Sequence, residues 1–100
     1  MVLWEIPTRL GEDELEKFVR RELVPGFPRC SFGVRGNVLQ VEPDGLNFEE
    51  IEELAKAVAP FVPPGEHVEL LLPDERGFPG GCVIKGGKVL RAISRLVLLE

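Results

Sequence analysis

Two helical patterns separate short alternating runs along this chain, and that order restricts its fold more than any other feature of the sequence. Residues 12–24 and 47–60 carry apolar side chains at helical spacing, whereas residues 2–6 and 66–72 carry the alternation that is typical of strands. Prolines stand at the end of each helical pattern, where they interrupt a helix. We therefore expect an α+β fold in which strands and helices follow one another along the chain.

A β-hairpin is predicted between the two helices. A Gly-Asn turn joins residues 29–35 to residues 38–42, and a glycine in the first central position suits a type II′ turn. With Arg35 opposite Val38, the apolar side chains of both strands collect on one face and the polar ones on the other. This agreement predicts the register of the hairpin as well as its existence.

A second hairpin pattern follows later in the chain. Residues 81–85 precede a Gly-Gly turn, after which the chain continues from Lys88. Residues 88–99 fit a strand and also fit an amphipathic helix, since their apolar side chains match both periods. The turn before them and their β-branched residues favour the strand.

The resulting order, β-α-β-β-α-β over residues 2–72, resembles the ferredoxin-like architecture, in which two helices lie on one face of a four-stranded antiparallel sheet. One hundred residues fit one domain, residues 1–100, to which residues 81–99 add the C-terminal hairpin. That hairpin is expected either to cover the open face of the sheet or to extend one of its edges. Since this architecture hosts many unrelated functions, the resemblance implies the fold alone.

Charge is distributed unevenly along the chain. The formal net charge is −5, which disfavours a general nucleic-acid binder because such proteins carry a positive surface. From Glu42 to Glu53 there are six acids and no base, whereas from Arg76 to Leu99 there are five bases and no acid. The basic segment is expected to pair with the acidic second helix of the same chain, to pair with that of a second subunit, or to bind an anionic ligand.

An open sheet face combined with this charge polarity predicts a non-enzymatic protein-interaction or homo-oligomerisation module, whose partner is a second copy or another protein. We expect a homodimer that weakens when Arg91 and Arg95 are changed to glutamate. The candidate interface residues are Lys88, Arg91, Arg95, Glu49 and Glu53.

The alternative function is the binding of an anionic metabolite, in a regulatory or enzymatic role. The loop of residues 73–81 combines acids, a base and glycines, and the backbone N–H groups of glycines are able to hold an anion. The candidate ligand-binding residues are Asp74, Glu75, Arg76, Gly80 and Gly81.

Motifs for catalysis, metals and cofactors do not stand out in this sequence. Cys30 and Cys82 do not form a CxxC pair, and both are expected to be small buried side chains. His67 is the one histidine, so a site with several histidines cannot form within a single chain. We therefore expect no cofactor, no metal and no catalytic residues.

Membrane and export signals are not predicted. The chain shows no signal-peptide pattern and no apolar run of the roughly 20 residues that span a bilayer, so a cytoplasmic location is expected. Glutamate and arginine prevail among the polar residues and nine residues are proline, a composition that is expected of a heat-adapted protein and that a biased genome also produces.

Overall fold

A computed structural model describes residues 2–73, 76–77 and 79–93. The strands are β1 (Trp4–Pro7), β2 (Cys30–Arg35), β3 (Val38–Pro43), β4 (His67–Pro73), β5 (Pro79–Lys85) and β6 (Lys88–Ile93). The first helix consists of α1 (Glu12–Phe18), a π-helical turn (Val19–Leu23) and α2 (Val24–Gly26). The second helix is α3 (Phe48–Val58), and a 3-10 turn (Ala59–Phe61) follows it.

The strands form two three-stranded antiparallel sheets, with the orders β1-β3-β2 and β4-β5-β6. The α+β class predicted from the sequence is therefore confirmed. The register of the β2–β3 hairpin is confirmed as well, because Arg35 pairs with Val38. Gly36 has a φ of +62° while Asn37 keeps a negative φ, as a type II′ turn requires.

The division into two sheets differs from the predicted arrangement, which has one four-stranded sheet. β4 pairs with β5 and not with β1, although β1 and β4 lie beside each other. Between them, the indole Nε1 of Trp4 donates a hydrogen bond to the carbonyl oxygen of Leu71 at 3.2 Å. This carbonyl of β4 therefore accepts from a side chain of β1, whereas in a continuous sheet it would accept from a backbone N–H group.

After β5 the chain continues as a strand. β6 pairs with β5 around the Gly-Gly turn, with Lys85 opposite Lys88. The strand prediction is thus confirmed for residues 88–93, and the helical alternative is wrong there. Residues 94–99 of the predicted hairpin lie outside the described part of the chain.

The first helix is longer than the sequence predicts. Pro25 was expected to stop it, yet the helix continues to Gly26. A π-helical turn precedes the proline, and at its end the N–H of Val24 donates to the carbonyl of Val19, five residues earlier. In an α-helix a proline ring clashes with the carbonyl four residues before it, and the wider π-helical turn relieves that clash.

The second helix begins as the sequence predicts. The side-chain Oδ1 of Asn47 accepts a hydrogen bond from the N–H of Glu50 at 2.8 Å, and Oε1 of Glu50 accepts from the N–H of Asn47 at 3.0 Å. This reciprocal pair is a capping box, and it satisfies backbone N–H groups that the start of a helix leaves without a partner.

The helices lie on one side of the strands. The first helix packs on β2, and α3 packs on β5 and β6. Side chains of both helices and both sheets form one buried cluster. Its largest fully buried members are Ile6, Leu15, Leu23, Leu39, Leu54, Leu70 and Ile84.

Within the described residues, no element packs on the opposite face of the sheets, and no helix is long and apolar enough to cross a membrane.

Candidate interaction surface

The candidate site is the face of the second sheet that points away from the helices. Along β4 and β5, the side chains of Val68, Leu70, Cys82 and Ile84 are buried in the core. Because successive side chains of a strand point to opposite faces, the residues between them point outward. On this outer face four apolar side chains come together: Leu71, Val83, Leu90 and Ala92.

These four residues, which we call the apolar patch, are neighbours across the sheet. Val83 pairs with Leu90 on the adjacent strand. Gly81 lies between Leu71 on one side and Ala92 on the other. Gly81 is itself buried and adds no side chain between them, so Leu71 and Ala92 flank it on the two neighbouring strands.

The exposure of the patch is high for apolar side chains. Leu90 is 49% exposed, and the other three members are partly exposed. Leu3, which is 56% exposed, directly precedes Trp4, whose indole bonds to the Leu71 carbonyl. The apolar surface therefore extends from the second sheet toward the first.

Charged residues of both signs surround the patch. On the outer face of β4, Nε2 of His67 lies 3.1 Å from Oε2 of Glu69. Lys85 pairs in register with His67 on one side and with Lys88 on the other. Glu5 is exposed on the outer face of β1. An apolar centre with a polar rim is the usual anatomy of a protein interface.

Arg91 lies on the opposite, helical face of β6 and binds α3 of the same chain. Its Nε and Nη2 atoms lie 3.1 Å and 3.0 Å from Oε1 of Glu52. Its guanidinium carbon is 5.5 Å from the centroid of the Phe48 ring, which is close enough for a cation–π contact. Of the three roles expected for the basic segment, pairing with the second helix of the same chain is the one that Arg91 has in the structure.

The carboxylate of Glu52 forms ion pairs with two cationic side chains. While Oε1 faces Arg91, Oε2 lies 3.0 Å from Nζ of Lys56. The hydrogen bond from Lys56, together with the positive charges of Arg91 and Lys56, outweighs the partial burial of the carboxylate. These contacts hold the pKa of Glu52 below its ordinary value, so the folded chain favours the ionised form.

We expect Glu52→Gln to lower the midpoint of urea denaturation at about pH 7, and this difference from the wild type to shrink as the pH is lowered through the acidic range. Because the pKa of Glu52 is lower in the folded chain than in the unfolded one, the stabilisation is present above the unfolded pKa. It is lost as the pH falls through the folded pKa. Glu53→Gln, at an exposed neighbour on α3, is the matched control and is expected to change little across this range of pH. Equal decreases for both variants would contradict the role of Glu52.

The other predicted interface residues lie at separate points of the surface. Lys88 is exposed at the start of β6, and Glu49 and Glu53 are exposed on α3. Arg95 lies outside the described residues. Glu52 was not among the predicted interface residues. Its position at the border of the apolar stripe of α3 nevertheless distinguishes it from the exposed acids of that helix. Charge pairing between two subunits stays a prediction.

The predicted ligand-binding residues are divided between a turn and a strand. Arg76 is exposed in the turn between β4 and β5, whereas Asp74 and Glu75 lie outside the described residues. Gly80 and Gly81 belong to β5, the central strand, where β4 and β6 pair with them on both sides. Close packing of β4 against β5 gives Gly81 a structural role. Anion binding by this loop stays a prediction.

Neither cysteine has the setting of a reactive thiol. Both are free of disulfide bonds, and Cys82 is fully buried while Cys30 is partly buried. Burial raises the pKa of each thiol, and the nearby carboxylates of Glu50 and Glu52 raise the pKa of Cys30 and Cys82 further. Since the thiolate is the nucleophile, both groups are held in the unreactive form.

The described residues contain no cluster of three or more His, Cys, Asp or Glu side chains that could hold a metal ion.

Comparisons with known protein families, with characterised proteins and with solved structures found no match to this chain.

Proposed function

We propose that this chain is a non-enzymatic protein-interaction module that forms a homodimer through the outer face of its strands. The apolar patch carries this proposal, because the helices cover one face of the sheets and no described element covers the other. In a monomer Leu90 and Leu3 stay half in water. A partner would remove this surface from water, which stabilises the complex by roughly 25 cal/mol for each Å² of apolar area buried.

A second copy of the chain suits this face because its rim carries both signs of charge. Glu5 and Glu69 are acidic, and Lys85 and Lys88 are basic. A twofold axis through the patch brings the same surface of each subunit together, and a rim with both signs of charge allows acids of one subunit to pair with bases of the other. Two sheets stacked in this way pack about 10 Å apart, a distance that their side chains fill.

The size of the outer face also supports a dimer. The two three-stranded sheets, with strands about 4.8 Å apart and about six residues long at about 3.4 Å per residue, have a combined flat area of roughly 600 Å². Because side chains protrude from the strands, the surface area that a partner contacts is larger than this flat value. Stable interfaces bury roughly 800 Å² on each partner, so a dimer through this face would use the outer surfaces of both sheets.

Two finer expectations belong to the same proposal. The position of β1 beside both β3 and β4, with the helices on one side, supports a ferredoxin-like arrangement of the first four strands. β5 and β6 then extend the edge at β4. A cytoplasmic setting keeps thiols reduced, which agrees with the disulfide-free state of Cys30 and Cys82.

Leu90→Glu is expected to convert the dimer to a monomer, because a carboxylate at an apolar interface loses its hydration without gaining a partner. Val24→Glu is the matched control, since Val24 is 50% exposed but belongs to the first helix. The mass of both variants is measured by light scattering after size-exclusion chromatography, and circular dichroism checks that each is folded. Dissociation of both variants or of neither would contradict the proposed face.

A further inference from the structure

A cavity of about 300 Å³ lies at the end of the molecule where β1 ends and the β5–β6 turn begins. Three parts of the chain form it: Arg9, the residues that follow α3, and the Gly86-Gly87 turn. Its volume is at the lower end of the range of small-molecule sites, which are about 300–1,000 Å³. The outer face of the sheets and the 73–81 loop do not contribute to its lining.

Arg9 is held in a fixed orientation beside this cavity. Its Nε and Nη2 atoms donate to the carbonyl oxygen of Pro60 at 3.3 Å and 3.1 Å. Its backbone N–H donates to the carbonyl of Phe61 at 2.8 Å. A guanidinium has five N–H donors, and these contacts leave both hydrogens of Nη1 and one of Nη2. This remaining edge is the fork that binds a carboxylate with two parallel hydrogen bonds.

The charge around the cavity is positive although the chain as a whole has a net charge of −5. None of the residues that line it is acidic. Lys85 and Lys88 directly flank the Gly86-Gly87 turn and pair with each other. Their side chains belong to the outer face of the second sheet, so the cavity itself presents the one oriented guanidinium of Arg9 to an anion.

The rest of the lining is apolar or lacks side chains. Ala59 and Val62 are buried residues of the core and form an apolar floor, beside the ring of Pro64. Gly86 and Gly87 have positive φ angles of +59° and +76°, and a Cβ at either position would meet no atom within 4 Å. The turn therefore places no side chain at its part of the cavity lining.

We propose that this cavity binds a small organic carboxylate with a compact apolar body, such as an aryl or branched aliphatic acid. The carboxylate lies against the outer edge of the Arg9 guanidinium, and the apolar body lies on Ala59 and Val62. A volume of about 300 Å³, at the lower end of the range of small-molecule sites, suits a ligand of this small size.

Titration of the ¹⁵N-labelled wild-type chain with phenylacetate tests this site by NMR. Saturable shifts are expected at the amides of Gly86, Gly87, Ala59 and Val62. Phenylacetamide, which has the same shape without the charge, and inorganic phosphate, which has charge without an apolar body, are each expected to bind at least tenfold more weakly. Absence of saturable shifts at these amides, or equal affinity for the acid and its amide, would overturn the proposal.

Variants of Arg9 distinguish the contribution of its paired N–H donors from the contribution of its positive charge. Arg9→Lys keeps the charge but loses the paired donors, and at least a tenfold loss of phenylacetate affinity is expected. Arg21→Gln, which removes an exposed arginine of the first helix, is the control and is expected to bind as the wild type does. Unchanged affinity in Arg9→Lys would exclude a bidentate contact. Because Arg9 also binds Pro60, the amide comparison on the wild-type chain remains decisive if this variant is poorly folded.

Discussion

Gly81→Ala is expected to lower the free energy of unfolding by about 3 kcal/mol, from backbone strain and overpacking together. Gly81 has a φ of +155°, a conformation that residues with a Cβ rarely adopt. A Cβ at this position would also collide with the backbone of Leu70 and Leu71 on β4. The backbone of β4 is paired with β5 and cannot move aside as a flexible side chain does, so the strain remains.

Gly80→Ala is the matched control in the same strand. Its φ is not in the positive range, and the nearest atom to an added Cβ is the carbonyl oxygen of Ala92 at 3.7 Å, an ordinary contact. We expect a change of less than about 1 kcal/mol. Urea denaturation of the two variants at equal chain concentration measures the difference, since association would shift both midpoints. Equal losses would contradict the special conformation of Gly81.

Leu70→Ala is expected to lower the free energy of unfolding by about 2–5 kcal/mol, because the side chain is fully buried and its removal leaves a cavity. Leu71→Ala, one residue on, is expected to cost less than about 1 kcal/mol in a dilute sample. Leu71 is on the outer face and partly exposed. The comparison tests the assignment of the two faces by urea denaturation at low chain concentration.

A loss for Leu71→Ala as large as that for Leu70→Ala would mean that the outer face is covered within a single chain. The apolar patch would then be part of a core and would no longer be an interaction surface. A loss that appears only as the chain concentration rises would instead support burial of Leu71 between subunits.

The features of this fold that depend on residues close together in the sequence can be predicted from the sequence. The hairpin of β2 and β3 follows from alternation and a Gly-Asn turn, both of which act between neighbouring residues. The start of α3 follows from Asn47 and Glu50, three residues apart. These features depend on short-range geometry, so the pattern of residue types is enough to predict them.

Two parts of the fold differ from the prediction. One depends on contacts between residues that are distant in the sequence, and the other depends on a local change in the helix that offsets the effect of a proline. Alternation shows which side chains of β4 point inward, but it does not show whether β1 or β5 is the hydrogen-bonded neighbour. The contact that the structure shows between β1 and β4 is the hydrogen bond from the indole of Trp4 to Leu71, 67 residues away along the chain, and local patterns do not reveal it. The helix around Pro25 continues because a π-helical turn absorbs the proline, and residue types alone do not reveal such a turn.

The candidate surface was predictable only in part. The charge polarity correctly indicated contact between the basic segment and the acidic helix, but the acid that meets Arg91 is Glu52. The apolar patch depends on the register of three strands, because Leu71 and Ala92 are brought together only through Gly81. The Arg9 cavity combines residues from three distant parts of the chain, so no local motif predicts it.

The solution mass of the wild-type chain, measured by sedimentation velocity over a dilution series, tests the proposed dimer most directly. Association through the outer face predicts a species of twice the 11.1 kDa chain mass that dissociates on dilution. A mass of 11.1 kDa at every concentration would contradict it, because the apolar patch would then have no second copy to cover it.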